Sequence, residues 1–184
     1  MTINPQKTWL EGVRFCPSPY YDERPTGMEI DLLVIHGISL PPGEFGGPFI
    51  DQLFTGTLDQ DAHPYFSGIA HLRVSAHLLI RRDGEVVQYV PFHKRAWHAG
   101  VSYFAGRSAC NDFSIGIELE GCDQVDYTRI QYEHLAQVIH LLQQAWPQLT
   151  QENIVGHCDI APGRKTDPGP AFDWNYLYQL LNKN

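Results

Sequence analysis

Two short apolar runs in this chain end on a histidine, and each is followed within a few residues by a stretch dense in proline and glycine. Ile30–Ile35 reads IDLLVI and leads into His36, ahead of the loop Pro41–Pro48. Ile154–Gly156 reads IVG and leads into His157, ahead of the loop Pro162–Pro170. A continuous apolar run bounded by turn residues fits a buried strand. The chain must therefore fold so that two rigid strand ends deliver imidazoles to irregular loops, an arrangement that suits a functional site.

The rest of the pattern surrounds those strands with more sheet and with helices. Ser75–Ile80 and Glu85–Val90 are strand-like, and Arg82-Asp83-Gly84 between them carries the Asp-Gly pair of a tight hairpin. Ser114–Glu120, SIGIELE, alternates with period two: Ile115, Ile117 and Leu119 on one face, Ser114, Gly116, Glu118 and Glu120 on the other. The second face is small and acidic, which suits the floor of a cleft. Leu135, Val138, Ile139 and Leu142 fall at helical spacing within a helix predicted over Thr128–Trp146. A Thr128/Gln131 capping box starts it and Pro147 ends it. Shorter helices are expected near Pro48, with that proline at the first position, and from Asp173 to the C-terminus. Strands mixed with helices predict an α/β domain of the α+β type, with helices packed against one sheet.

Composition narrows the function classes. A chain of 184 residues fits one domain and can bury roughly 70% of its unfolded surface, so folding needs no metal. The net charge of −8 argues against nonspecific partnership with nucleic acid or an anionic membrane. No apolar run approaches the ~20 residues of a membrane span. The start, MTINPQKTWLEGVRF, has no apolar core behind a basic segment, which leads us to expect a cytoplasmic protein. Cys16, Cys110, Cys122 and Cys158 form no Cys-x-x-Cys pair and are expected as free thiols. No heptad pattern or long exposed apolar stripe demands a partner, so a monomer is expected.

Nine histidines are many for this length. His134 and His140 sit off the apolar stripe of the long helix and are expected to face solvent. His36 and His157 differ because of where they sit. A catalytic zinc takes three protein ligands from His, Asp or Glu and keeps a position for water. The segment after His157 offers Asp159 and Asp167 as carboxylates, and spacing alone does not choose between them. Cys158 is a weaker candidate, because neighbours in an extended segment point opposite ways. Glu118 is a carboxylate at the centre of a strand, where carboxylates are depleted. Lys165 and Arg164 lie in the same loop as the candidate ligands.

The segments HLRVSAHLLIRRDGEVVQYVPFHKRAWHAGVS, NDFSIGIELEG and GHCDIAPGRKTDPGPAFDW together resemble the type 2 N-acetylmuramoyl-L-alanine amidases, of the superfamily that also contains the peptidoglycan recognition proteins. The resemblance spans nearly the whole chain, with a domain core of about residues 28–180. It implies a central mixed β-sheet flanked by helices, with a zinc cleft on one face. It implies one Zn2+ per chain, held by His36, His157 and Asp167, which selects Asp167 over Asp159. It further implies Glu118 as the acid acting on water and Lys165 as the cation facing the oxyanion. The substrate class would be 1,6-anhydro-N-acetylmuramyl peptides, in peptidoglycan recycling. Arg73, Arg107 and Arg164 are candidates for peptide carboxylates, and Trp97 and His98 for a cleft wall. The residue after the first zinc histidine is Gly37, where Asn is expected in close relatives, which removes any amide contact at that position. The superfamily also contains noncatalytic receptors for the same fragments, which typically lack part of the metal set.

Overall fold

A computed structural model describes residues 1–183. Its centre is a six-stranded mixed sheet. In chain order the strands are β1 (Arg14–Phe15), β2 (Leu32–Ile38), β3 (Leu78–Ile80), β4 (Val86–Gln88), β5 (Ser114–Glu120) and β6 (Ile154–Gly156). Across the sheet they run β6-β2-β5-β3-β4-β1. Every neighbouring pair is parallel except the hairpin β3–β4. The helices are α1 (Phe49–Thr55), α2 (Arg129–Ala145), α3 (His157–Ile160) and α4 (Trp174–Leu181). No helix among the described residues is long and apolar enough to cross a membrane.

The sheet is covered on both faces, which is why β2 reads as a nearly unbroken apolar run. Leu33 and Ile35 of β2 join Ile115, Ile117 and Leu119 of β5 in one core with α2 and α4. Leu32 and Val34 face the other way, against Ala99, Cys110, Phe113 and Ile160. A third cluster packs α1 (Ile50, Leu53, Phe54) on Leu79 and Val87 of the hairpin. On α2, Leu135, Val138, Ile139 and Leu142 are fully buried. Burying each contributes about 1.5–3 kcal/mol, against about 1 kcal/mol for a good cap, so packing rather than capping holds this helix. The predicted box is present: Thr128 Oγ1 accepts from Gln131 N, and the Gln131 side chain accepts from Thr128 N.

Four expectations shift in detail. β2 begins at Leu32 because the amides of Asp31 and Leu32 both turn to the Phe113 carbonyl, and it runs on through His36 to Ile38. His36 is therefore inside a strand, not beyond one. The hairpin ladder is shorter than its apolar pattern, and Pro48 flanks α1 as its cap instead of opening it. His134 is not simply solvated: its Nδ1–H donates to the Gly84 carbonyl at 2.6 Å, which seats α2 over the hairpin turn.

Candidate metal centre

The parallel register between β2 and β5 pairs His36 with Glu118. Both side chains point to the face away from α2, and His157 arrives beside them as the first residue of α3, directly after β6. The Nδ1 atoms of His36 and His157 stand 3.0 Å apart. Asp167 Oδ2 is 3.3 Å from the first and 3.1 Å from the second. A tetrahedral ion with ligand bonds near 2.0–2.1 Å needs donors about 3.3 Å apart, so this triangle has the size of a zinc site. His36, His157 and Asp167 form the metal-competent group found among the described residues.

Asp159 takes another role. Its Oδ2 accepts from Gly156 N at 2.7 Å and caps the start of α3. Cys158, in the same helix and not in an extended segment, is not part of the ligand triangle, and its Sγ lies 3.9 Å from Asp159 Oδ1. Asp167 is steered back to the histidines by its own backbone, since Cys158 N donates to the Asp167 carbonyl at 2.9 Å.

The electrostatics separate the roles. Burial opposes charge on Asp167, but hydrogen bonds from His157 and His36 hold its carboxyl well below the usual range. Burial brings His36 down to about 4, against the opposing pull of Asp167. Glu118 is pushed well up by burial and by the charge of Asp167, with Lys165 acting against both. Its Oε1 lies 3.9 Å from His36 Nδ1, and its Oε2 is buried with no hydrogen-bond partner. Such a group is costly unless something comes to it.

Glu120, two residues along the same face, is the contrast. Its carboxylate accepts from Gly46 N at 2.7 Å, Arg82 N at 3.2 Å and Arg81 Nη1 at 3.5 Å. Every oxygen is used, so Glu120 is part of the frame while Glu118 is open to chemistry.

These groups border a cleft of about 710 Å³, within the range that holds a drug-sized ligand. His36, Glu118, His157, Lys165 and Asp167 all line it, as do Trp97, His98 and Arg164. Tyr65, Leu72 and Val74 give it an apolar flank. A second cavity, of about 570 Å³, is lined by Arg14, Arg81 and Arg82 together with Asp51, Asp83, Glu85 and Glu120. Its charges are largely spent on one another.

Two predicted contacts fall outside the cleft. Arg107 lies on a small hairpin, paired with Asp31 at 2.9 Å and stacked 3.8 Å from the Phe113 ring centre, so its guanidinium is already engaged. Arg73 is exposed between the cleft-lining Leu72 and Val74 but does not itself border the cavity. Arg164 donates to the carbonyls of Ala99 at 2.6 Å and Val101 at 2.8 Å, which ties the metal loop to the opposite rim. Trp97 donates from Nε1 to Asp22 at 3.1 Å and presents its ring to the cleft.

Gly37 offers only backbone to the cleft, and its space is taken. A Cβ there would stand 2.3 Å from the Tyr127 hydroxyl, which donates to the Pro168 carbonyl at 2.9 Å. Beneath the site lies a buried polar layer that the sequence did not advertise. Arg24 donates to the carbonyls of Phe92, Asn111, Asp112 and Ser114. His77 Nδ1 accepts from Gly116 N at 3.0 Å.

Comparison with known proteins gives one consistent result. A family profile described as N-acetylmuramoyl-L-alanine amidase matches residues 26–170. The chain is 64% identical over 178 residues to the 1,6-anhydro-N-acetylmuramyl-L-alanine amidase AmpD of Escherichia coli (strain K12), covering 97% of each chain. Among solved structures, a selenomethionine derivative of AmpD superposes with a TM-score of 0.94 at 62% identity, covering 98% of this chain and 99% of that one. The N-acetylmuramyl-L-alanine amidase AmiD from E. coli, in complex with the substrate anhydro-N-acetylmuramic acid-L-Ala-D-gamma-Glu-L-Lys, matches with a TM-score of 0.59 at 30% identity. That match covers 86% of this chain and 60% of AmiD.

Proposed function

The chain belongs to the N-acetylmuramoyl-L-alanine amidase family, and from that premise we propose how its cleft carries out the reaction. The chain is an amidase of peptidoglycan recycling. It hydrolyses the amide between the muramic acid lactyl group and L-alanine in 1,6-anhydro-muropeptides, the substrate named for its relatives. The observation that carries the mechanism is the unpartnered, buried carboxylate of Glu118 beside the His36–His157–Asp167 triangle.

The donor set fits zinc: two imidazoles and one carboxylate are the protein ligands of many catalytic zinc sites. His36 and His157 would bind through Nδ1 and Asp167 through a carboxylate oxygen. Bound there, zinc would supply Lewis acidity, polarising the scissile carbonyl and bringing the pKa of water toward ~7.

The remaining work belongs to side chains. Glu118 takes a proton from the attacking water as its oxygen adds to the carbonyl carbon. It returns that proton to the L-alanine nitrogen as the C–N bond breaks. Its raised proton affinity suits both halves of that transfer. Lys165, on the cleft wall, faces the negative charge that develops on the carbonyl oxygen. Trp97 gives one wall for the sugar or peptide.

One chain supplies all five groups, so the site needs no second subunit, and we assign a monomer. Four free cysteines fit the cytoplasm, where recycled fragments are processed. The acidic net charge disfavours nucleic acid or anionic membrane as partner.

The test uses the purified chain with a 1,6-anhydro-muropeptide, followed by chromatography for free peptide. One zinc per chain, loss of release on chelation and recovery on zinc addition are expected. Binding without release by the zinc-loaded protein would make it a receptor, and zinc well below one per chain would remove the metal assignment.

A further inference from the structure

The two metal histidines present their other ring nitrogens to one short segment. His36 Nε2 lies 2.9 Å from His98 Nδ1, and His98 Nε2 lies 3.2 Å from Ser114 Oγ. With His36 Nδ1 turned to the metal position, its proton sits on Nε2 and donates to His98 Nδ1. His98 in turn carries its proton on Nε2 and donates to Ser114. His157 Nε2–H donates to the Ala99 carbonyl at 3.2 Å. Neighbouring residues thus orient both imidazoles, one through a ring and one through a carbonyl.

That segment is fixed from one place. Asn111 Oδ1 accepts from the backbone amides of His98, at 3.1 Å, and Ala99, at 2.8 Å. The ring of His98 is seated because Gly116 has no side chain: a Cβ there would stand 2.5 Å from His98 Cγ and Nδ1. Ring and carbonyl cannot drift independently while one amide oxygen holds both of their backbone nitrogens.

We propose that Asn111, with His98 and the Ala99 carbonyl, forms an orienting clamp that sets tautomer and angle of both metal histidines. His98 is then a positioning residue as well as part of the cleft lining. The proposal rests on the metal reading above. Groups that orient ligand histidines commonly hold 10–100-fold in metal affinity.

The test measures zinc affinity of the apo-protein by competition with a chromogenic chelator, the visible spectrum of the cobalt-substituted protein, and apo-protein stability in urea. His98→Ala and Asn111→Ala are each expected to weaken zinc about 10–100-fold and to alter the cobalt bands while the apo-protein stays folded. Asn111→Asp keeps an acceptor oxygen for both amides, and His98→Asn keeps one near the Nδ1 position. Both are expected to recover most of the affinity. Parent-like affinity and cobalt spectrum in the folded alanine variants would overturn the clamp, as would Asp or Asn variants no better than alanine. If the parent itself binds no zinc, it is the metal reading that fails, a separate result.

Discussion

Glu118 and Glu120 stand two residues apart on one face of one strand, both nearly buried, and should respond in opposite ways to the same substitution. Glu118→Gln keeps the volume and removes the proton acceptor. General acid–base groups contribute about 10²–10⁴ in rate, or about 3–5 kcal/mol of barrier, so kcat should fall at least about a hundredfold. Stability should hold, because no hydrogen bond to Oε2 is lost and a group whose charge was disfavoured by burial is neutralised.

Glu120→Gln replaces one accepting oxygen with an NH2 that faces a donor, either Gly46 N or Arg82 N. Losing a hydrogen bond to a charged group costs about 1.5–3 kcal/mol, while Arg81 keeps Asp51 and Glu85 as partners. The melting temperature should fall by roughly 3–12 °C, with kcat of the folded fraction within about threefold. Turnover of an anhydro-muropeptide followed by chromatography, beside urea unfolding of both variants, decides the matter. A Glu118→Gln enzyme within tenfold of the parent, or a folded Glu120→Gln enzyme more than about tenfold slower than the parent, would refute the division of roles.

Other perturbations separate frame from site. Asp167→Ala should strip the metal, whereas Asp159→Ala should keep it and cost only about 1 kcal/mol, the value of a helix cap; zinc analysis after dialysis distinguishes them. His77 is buried, and burial with the nearby Arg24 charge holds it down to about 3. The native state keeps it neutral while the unfolded chain takes up a proton below about 6.5, so stability is lost as pH falls through that window. From pH 7 to 5 this group should account for about 2 kcal/mol, and an equal loss in His77→Gln would exclude it. Ile139→Ala on α2 should cost about 2–5 kcal/mol and Thr128→Ala about 1 kcal/mol, both read from urea midpoints; a larger loss at Thr128 would mean that capping holds the helix.

Elements whose reason for existing is local were legible in the chain. The α2 stripe and its Thr128–Gln131 box are specified by spacing alone, and so is the two-faced β5. What escaped depends on long-range partners. Asp159 and Asp167 are equivalent by spacing; only the capping of Gly156 N by one frees the other for the histidines. Arg107 looks as available as any arginine until the fold brings it against Asp31, 76 residues away in sequence, and the Phe113 ring. The role of His98 depends on His36, 62 residues away in sequence, and that of Tyr127 on Pro168, 41 residues away. No periodicity reports such pairs.

The same alternation that builds the core also guards the chemistry. Side chains on a strand change face with every residue, so a one-residue slip of β2 against β5 would turn His36 into the α2 core and bring Ile35 to the cleft. That slip would also bury a histidine among Leu135, Val138 and Ile139, whereas Leu32, Leu33 and Val34 would meet an apolar core on either face. One apolar side chain, Ile35, moved out of a core costs about 1.5–3 kcal/mol, before the unpaired imidazole is counted. The registry that places His36 opposite Glu118 is therefore enforced by residues that never touch substrate. The geometry proposed for this site follows from Ile35 having to stay packed against α2.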